Sequence, residues 1–175
     1  MDSHRAWRLG CCAFLLAGFA GLAWADNPFR VSSPDFRQGM PIPDKHGFHQ
    51  QNISPELRIE NVPAKALSLV LIVDDPDAPA GLWTHWLVWN LPPNTTGIPE
   101  GKLPEGASEG KNSFGNVRYD GPAPPSGTHR YFFRIYALDT TLSLPPGSTR
   151  AALEQAMKGH VVGGGETFGV FSASP

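Results

Sequence analysis

The sequence predicts a mostly β domain of short strands joined by many loops, with one helix near the C-terminus. Three observations lead there. Eighteen prolines and nineteen glycines are scattered without a period and cut the chain into segments too short for a helical bundle. The best segments between them are rich in β-branched residues, leucine and aromatics, which suit half-buried strands. One stretch alone, residues 149–158, has a helical pattern with both ends marked.

Taken from the N-terminus, Arg5 and Arg8 precede an apolar run over 11–24 that contains nothing more polar than glycine. Its end, Ala23-Trp24-Ala25, offers small residues at the two positions a signal peptidase reads. Residues 1–25 are therefore expected to be a signal peptide cleaved before Asp26, and they are set aside from the fold. The run is too short for a membrane span. Cys11 and Cys12 open it, whereas a lipid-modified cysteine would follow it, and both leave with the signal. A mature chain without thiols has no disulfide, no cysteine nucleophile and no thiolate ligand. What remains, 26–175, is enough for one domain with a real core. Losing Arg5, Arg8 and Asp2 shifts the formal charge from −2 to −3, and no basic tract is present, so nucleic acid is excluded as a partner. An anion would have to be held by local geometry.

Further along, the clearest strands are 67–73, 83–90 and 130–138, each bounded by proline, glycine or aspartate clusters. Weaker strands are expected over 57–61 and 167–171. Residues 92–128 are long, polar and rich in Gly and Pro, and their place between two strong strands argues for a functional surface loop. In the helix, Ser148 or Thr149 can cap the start and Gly159 the end, with Ala152, Leu153, Ala156 and Met157 on one face.

Alternation along a strand puts residues two apart on one face. It groups His129 with Tyr131, Phe133 and Ile135, and His85 with Trp83, Leu87 and Trp89. Each histidine sits near a strand end in line with apolar residues, as at the mouth of a pocket. Either one alone reads more readily as a half-buried histidine satisfied by the backbone. Asp75-Pro76-Asp77-Ala78-Pro79 closes one strand with two rigid prolines and places a carboxylate at its end, although a plain Asp-Pro turn has the same residues. The loop from Tyr119 to Thr128 leads into His129. It is stiffened by Pro122, Pro124 and Pro125, and Gly121 leaves room for something to approach its backbone.

At these residues the chain resembles the phosphatidylethanolamine-binding-protein family, in particular its bacterial Raf-kinase-inhibitor-like branch. Three ordered motifs carry the resemblance: Asp75-Pro76-Asp77-Ala78-Pro79, the run from Trp83-Thr84-His85 to Trp89-Asn90, and Gly121-Pro122 through Pro125, Gly127 and His129-Arg130-Tyr131. Asn52-Ile53-Ser54-Pro55, Gly110 to Gly115 and Gly159-His160-Val161 extend it over nearly the whole mature chain. Phe48-His49-Gln50-Gln51 and Ser113 depart from the family pattern, and Gly163-Gly164-Gly165 is looser than its usual link into the last strand. The resemblance implies an antiparallel β-sandwich, a central sheet packed on a second one. It also implies a pocket for phosphate, phosphorylethanolamine head groups or small carboxylates. That pocket would use Asp75, His85, His129 and Tyr131, with Gly121 and Pro122 as backbone rim and Asp77 and Pro79 as wall.

The expected function is a secreted, periplasmic anion- or head-group-binding protein with no cofactor and no catalytic residue. A protein inhibitor acting through the pocket rim is the alternative, with a protein partner in place of a small ligand. A metal-dependent hydrolase is a distant third, because no His-x-His pair or His-Glu-x-x-His helix supplies ligands. No nucleophile elbow marks a serine hydrolase.

Overall fold

A computed structural model describes residues 28–173. The signal-peptide reading of residues 1–25 lies outside the described residues. Among these described residues, eight strands form two sheets. They are β1 (Arg30–Ser32), β2 (Leu57–Glu60), β3 (Ser68–Asp75), β4 (Trp83–Leu91), β5 (Gly97–Ile98), β6 (Ser108–Glu109), β7 (Thr128–Leu138) and β8 (Val161–Ser172). A 3₁₀ turn, Asp44–His46, follows β1, and one helix, α1 (Arg150–Met157), precedes β8. The large sheet has the order β6-β4-β3-β7-β8 and the small one β1-β2-β5, with every paired strand antiparallel. Among the described residues no helix is long and apolar enough to cross a membrane.

The central strand β3 is buried along its whole length because both of its faces are covered. Leu69, Leu71 and Val73 meet Phe133 and Ile135 of β7 and Leu57, Ile59 and Ile98 of the small sheet in the core between the sheets. On the opposite face, Val70 and Ile72 join Leu87 and Trp89 of β4 and are roofed by Leu153 and Met157 of α1. Fully burying each such side chain stabilises the fold by roughly 1.5–3 kcal/mol. The helix begins as its sequence implies: the Thr149 side chain accepts from the Ala152 amide, and Gly159 takes φ +84° just beyond its end.

Two sequence expectations change. The last strand spans twelve residues rather than five and runs through the glycine triplet. A Cβ on Gly163 would stand 2.6 Å from Pro63, and one on Gly165 would stand 2.9 Å from the Phe29 carbonyl oxygen, so small residues are what let the N-terminal segment lie against β8. Alternation also fails within β4. Val73 pairs with Trp86 but Asp74 pairs with Thr84, which makes His85 the extra residue of a β-bulge. Thus Trp83 and His85 do not share a face with Leu87 and Trp89. The bulge turns His85 to the side that carries Trp86 and Tyr131.

Candidate functional site

The site lies where β3, β4 and β7 end together. Asp75 is the last residue of β3, and its two oxygens do different work. Oδ1 accepts the Asp77 amide at 2.7 Å, tightening the turn, while Oδ2 accepts from His129 Nδ1 at 2.7 Å. Both residues are buried. Asp77 sits outside the cavity and clamps the turn to β7: its carboxylate takes the Arg130 guanidinium at 2.6 and 2.8 Å and the Arg130 amide at 3.0 Å. Those bonds hold the Asp77 carboxyl down to about 2.

His85 is held from the other side. Its Nδ1 lies 2.7 Å from the Asp120 carbonyl oxygen, and a carbonyl can only accept, so Nδ1 carries the proton and the lone pair is left on Nε2. Burial keeps the imidazole below the ordinary histidine value, outweighing the Asp120 hydrogen bond and the Asp75 charge, which act the other way. At neutral pH the ring is therefore a neutral acceptor. The ring makes T-shaped contacts with Tyr131 (5.2 Å, 76°) and Phe114 (5.6 Å, 65°). The Tyr131 hydroxyl is buried near Asp75, and burial pushes its pKa up. It has no hydrogen-bond partner of good geometry among the described residues.

A cavity of ≈ 250 Å³ opens at this point. Asp75, Pro79 and His85 line it, as do Trp83, Phe114, Ala123 and Pro125, which residue-type reasoning did not assign to the pocket. Of the other residues expected there, His129 and Tyr131 stand behind Asp75 and His85 and support them. Gly121 and Pro122 are not among the residues that line the cavity. A Cβ on Gly121 would fall 1.9 Å from the His46 carbonyl oxygen, so the close approach that this glycine permits is by the chain's own 3₁₀ turn. Its amide donates to Asn52 Oδ1 at 2.7 Å, and the Pro122 carbonyl accepts the Phe48 amide at 2.9 Å.

Phe114 is delivered by the long loop, which is organised around one buried carboxylate. Asp120 accepts from Asn52 (3.0 Å), Asn112 (2.9 Å), Asn116 (2.7 Å) and Arg118 (3.0 Å). Burial alone would raise its pKa, but these donors outweigh burial and lower it. Asn112 Oδ1 in turn accepts the amides of Phe114 and Asn116, each at 3.0 Å, and Ser113 is tied to Thr84 of β4 by two 2.9 Å bonds. Phe114 is fixed between Phe48, stacked at 4.7 Å, and Trp83, edge-on at 5.4 Å. An aromatic in the otherwise polar run 110–116 was the available signal for it. The result is a small apolar chamber with an anionic group and a neutral acceptor at its inner end.

The sequence profile described as phosphatidylethanolamine-binding protein matches residues 32–172. A UPF0098 protein of Methanothermobacter thermautotrophicus is 49% identical over 135 residues, covering 74% of this chain and 89% of that protein. One from Pyrococcus abyssi is 43% identical over 167 residues, covering 90% and 93%. Among solved structures, the phosphatidylethanolamine-binding protein homolog CT736 of Chlamydia trachomatis superposes with a TM-score of 0.81 at 41% identity, covering 85% of this chain and 99% of that one. Escherichia coli YbcL, described as a member of the mammalian PEBP family, gives 0.79 at 31%, covering 83% and 99%. With its motifs, its two antiparallel sheets and these relatives in agreement, the chain belongs to the phosphatidylethanolamine-binding protein family.

Proposed function

We propose that this chain is an exported, periplasmic binding protein for small anionic ligands of the phosphorylethanolamine type, and that it holds them without chemical change. The observation that carries this reading is the ≈ 250 Å³ cavity in which Asp75 and His85 are the polar groups of an otherwise apolar and aromatic wall. Its volume falls below the roughly 300–1,000 Å³ of pockets for drug-sized ligands, which favours a head group over a whole lipid. An ethanolamine ammonium suits Asp75 with the Trp83 and Phe114 rings around it. A phosphate suits His85 Nε2, which accepts from a P–OH group or, once protonated, donates to a phosphate oxygen. The family name supports the same ligand class. Export rests on the charged and apolar pattern of residues 1–25.

Calorimetric titration with inorganic phosphate and with phosphorylethanolamine tests this. Binding of phosphorylethanolamine that is lost in Asp75→Asn and weakened in Phe114→Ala, with both variants folded, is the expected result. No heat of binding in the wild type would overturn it. A protein inhibitor is the second reading, supported by Leu82, 52% exposed beside Trp83, and by the exposed prolines Pro79 and Pro125 at the mouth. Inhibition of a protease that survives Asp75→Asn would favour it.

A further inference from the structure

A second group of ligating side chains collects away from the cavity, where three loops meet. Asp35 follows β1, His46 ends the 3₁₀ turn and Glu100 follows β5, and one ligand atom from each lies within 4.8 Å of the others. The histidine is 0% exposed, and its Nε2 has no hydrogen-bond partner among the described residues. A buried ring nitrogen left without a partner is costly. Nδ1 lies 2.9 Å from the Ile53 carbonyl oxygen and must therefore donate to it, which leaves the lone pair on Nε2. Metal-binding histidines are commonly oriented by such a carbonyl on the second nitrogen.

The spacing also suits a metal. Nε2 stands 3.6 Å from Asp35 Oδ2, close to the edge of about 3.3 Å expected for a tetrahedron with metal–ligand bonds of about 2.0–2.1 Å. Asp35 is itself oriented, because the Glu56 amide donates to Oδ2 at 2.8 Å. Glu100 is carried by a turn whose Gly101 amide donates to the Ser54 carbonyl at 3.0 Å. A cation already occupies the outer side: the Lys45 ammonium bonds Glu100 and lies 3.7 Å from Asp35 Oδ1. Its side chain is 35% exposed and sits on a flexible stem, so it can swing away.

We propose that Asp35, His46 and Glu100 form a site for a divalent first-row transition metal, with the Lys45 ammonium as the resident cation that the metal displaces. One imidazole nitrogen with two carboxylates matches zinc, which leaves a fourth position for water, and fits magnesium or calcium less well because both prefer all-oxygen shells. No sequence motif announces the site, since its ligands are far apart along the chain.

Titration of the purified protein with Zn²⁺, with Co²⁺ absorption reporting coordination, tests the assignment. One equivalent should bind. Lys45→Met should tighten binding and Glu100→Gln weaken it, each by about tenfold or more, the scale seen when a metal ligand's surroundings change. Both side chains are half-buried at the surface, so these variants keep the fold, which circular dichroism verifies. Absence of stoichiometric binding in both the wild type and Lys45→Met would overturn the proposal. So would binding that neither Glu100→Gln nor His46→Gln alters, because the metal would then sit elsewhere.

Discussion

Asp74 and Asp75 are consecutive and both buried, yet the pleat of β3 turns them to opposite faces of the large sheet. Asp74 faces the helix layer and is answered by full cations. Arg134 of β7 bonds its Oδ1, Arg150 of α1 bonds its Oδ2 at 3.0 Å, and Arg150 also reaches Thr84 at 3.1 Å. Asp75 faces the cavity and is answered by a histidine and one amide. One carboxylate is closed off by its partners and joins three elements. The other is held by one imidazole and one amide and keeps a side open to the cavity. A buried charge is thus closed off or left accessible according to its partners, not its type.

The largest effect expected from this contrast is that of Asp74→Ala. Two arginines would lose their shared partner, at a cost of about 3 kcal/mol, the low end for a broken buried pair because the guanidinium ends reach solvent. A lower urea midpoint with an unchanged m-value would show it. Phosphorylethanolamine affinity should be kept, and its loss would break the contrast. Asp75→Asn should do the reverse. It should cost about 1.5 kcal/mol, since the single amide oxygen can accept from Asp77 or from His129 but not from both, while binding disappears.

The smallest effect is that of pH, and it isolates His85. Its folded-state pKa lies below the ordinary value of about 6.5, so the unfolded chain takes up the proton first. The stability tied to a neutral His85 is complete above pH about 6.5 and is lost as pH falls from there toward the folded value. Melting in a pH series should therefore decline more steeply for the wild type than for His85→Asn. A bound anion favours the imidazolium, so saturating sulfate, which does not titrate in this range, should flatten the decline. Parallel curves for wild type and variant would remove His85 from the account.

Much of the fold was legible because it rests on local patterns. The strands around Leu71, Leu87 and Ile135 show in their composition, and α1 shows in Thr149 and Gly159, since caps and propensities act within a few residues. The glycine triplet misled because glycine ordinarily weakens a strand. Here it belongs to a strand against which Phe29 and Pro63 lie, a contact distant along the chain. The candidate site was legible by residue and less so by geometry. The motifs named Asp75, His85 and His129, but not that His129 supports Asp75 from behind, nor that Gly121 makes room for the His46 carbonyl.

The sequence by itself determined a mostly β domain, its family and the residues at the inner end of the pocket, because alternation, turn chemistry and ordered motifs are written along the chain. Only the tertiary structure decided which way those residues face. The bulge at His85, the bond that ties Asn52 to the Asp120 hub, and the meeting of Asp35, His46 and Glu100 join positions that nothing local connects. In the first two a buried polar group finds its partner across the fold, and in the third a buried imidazole nitrogen is left facing two carboxylates.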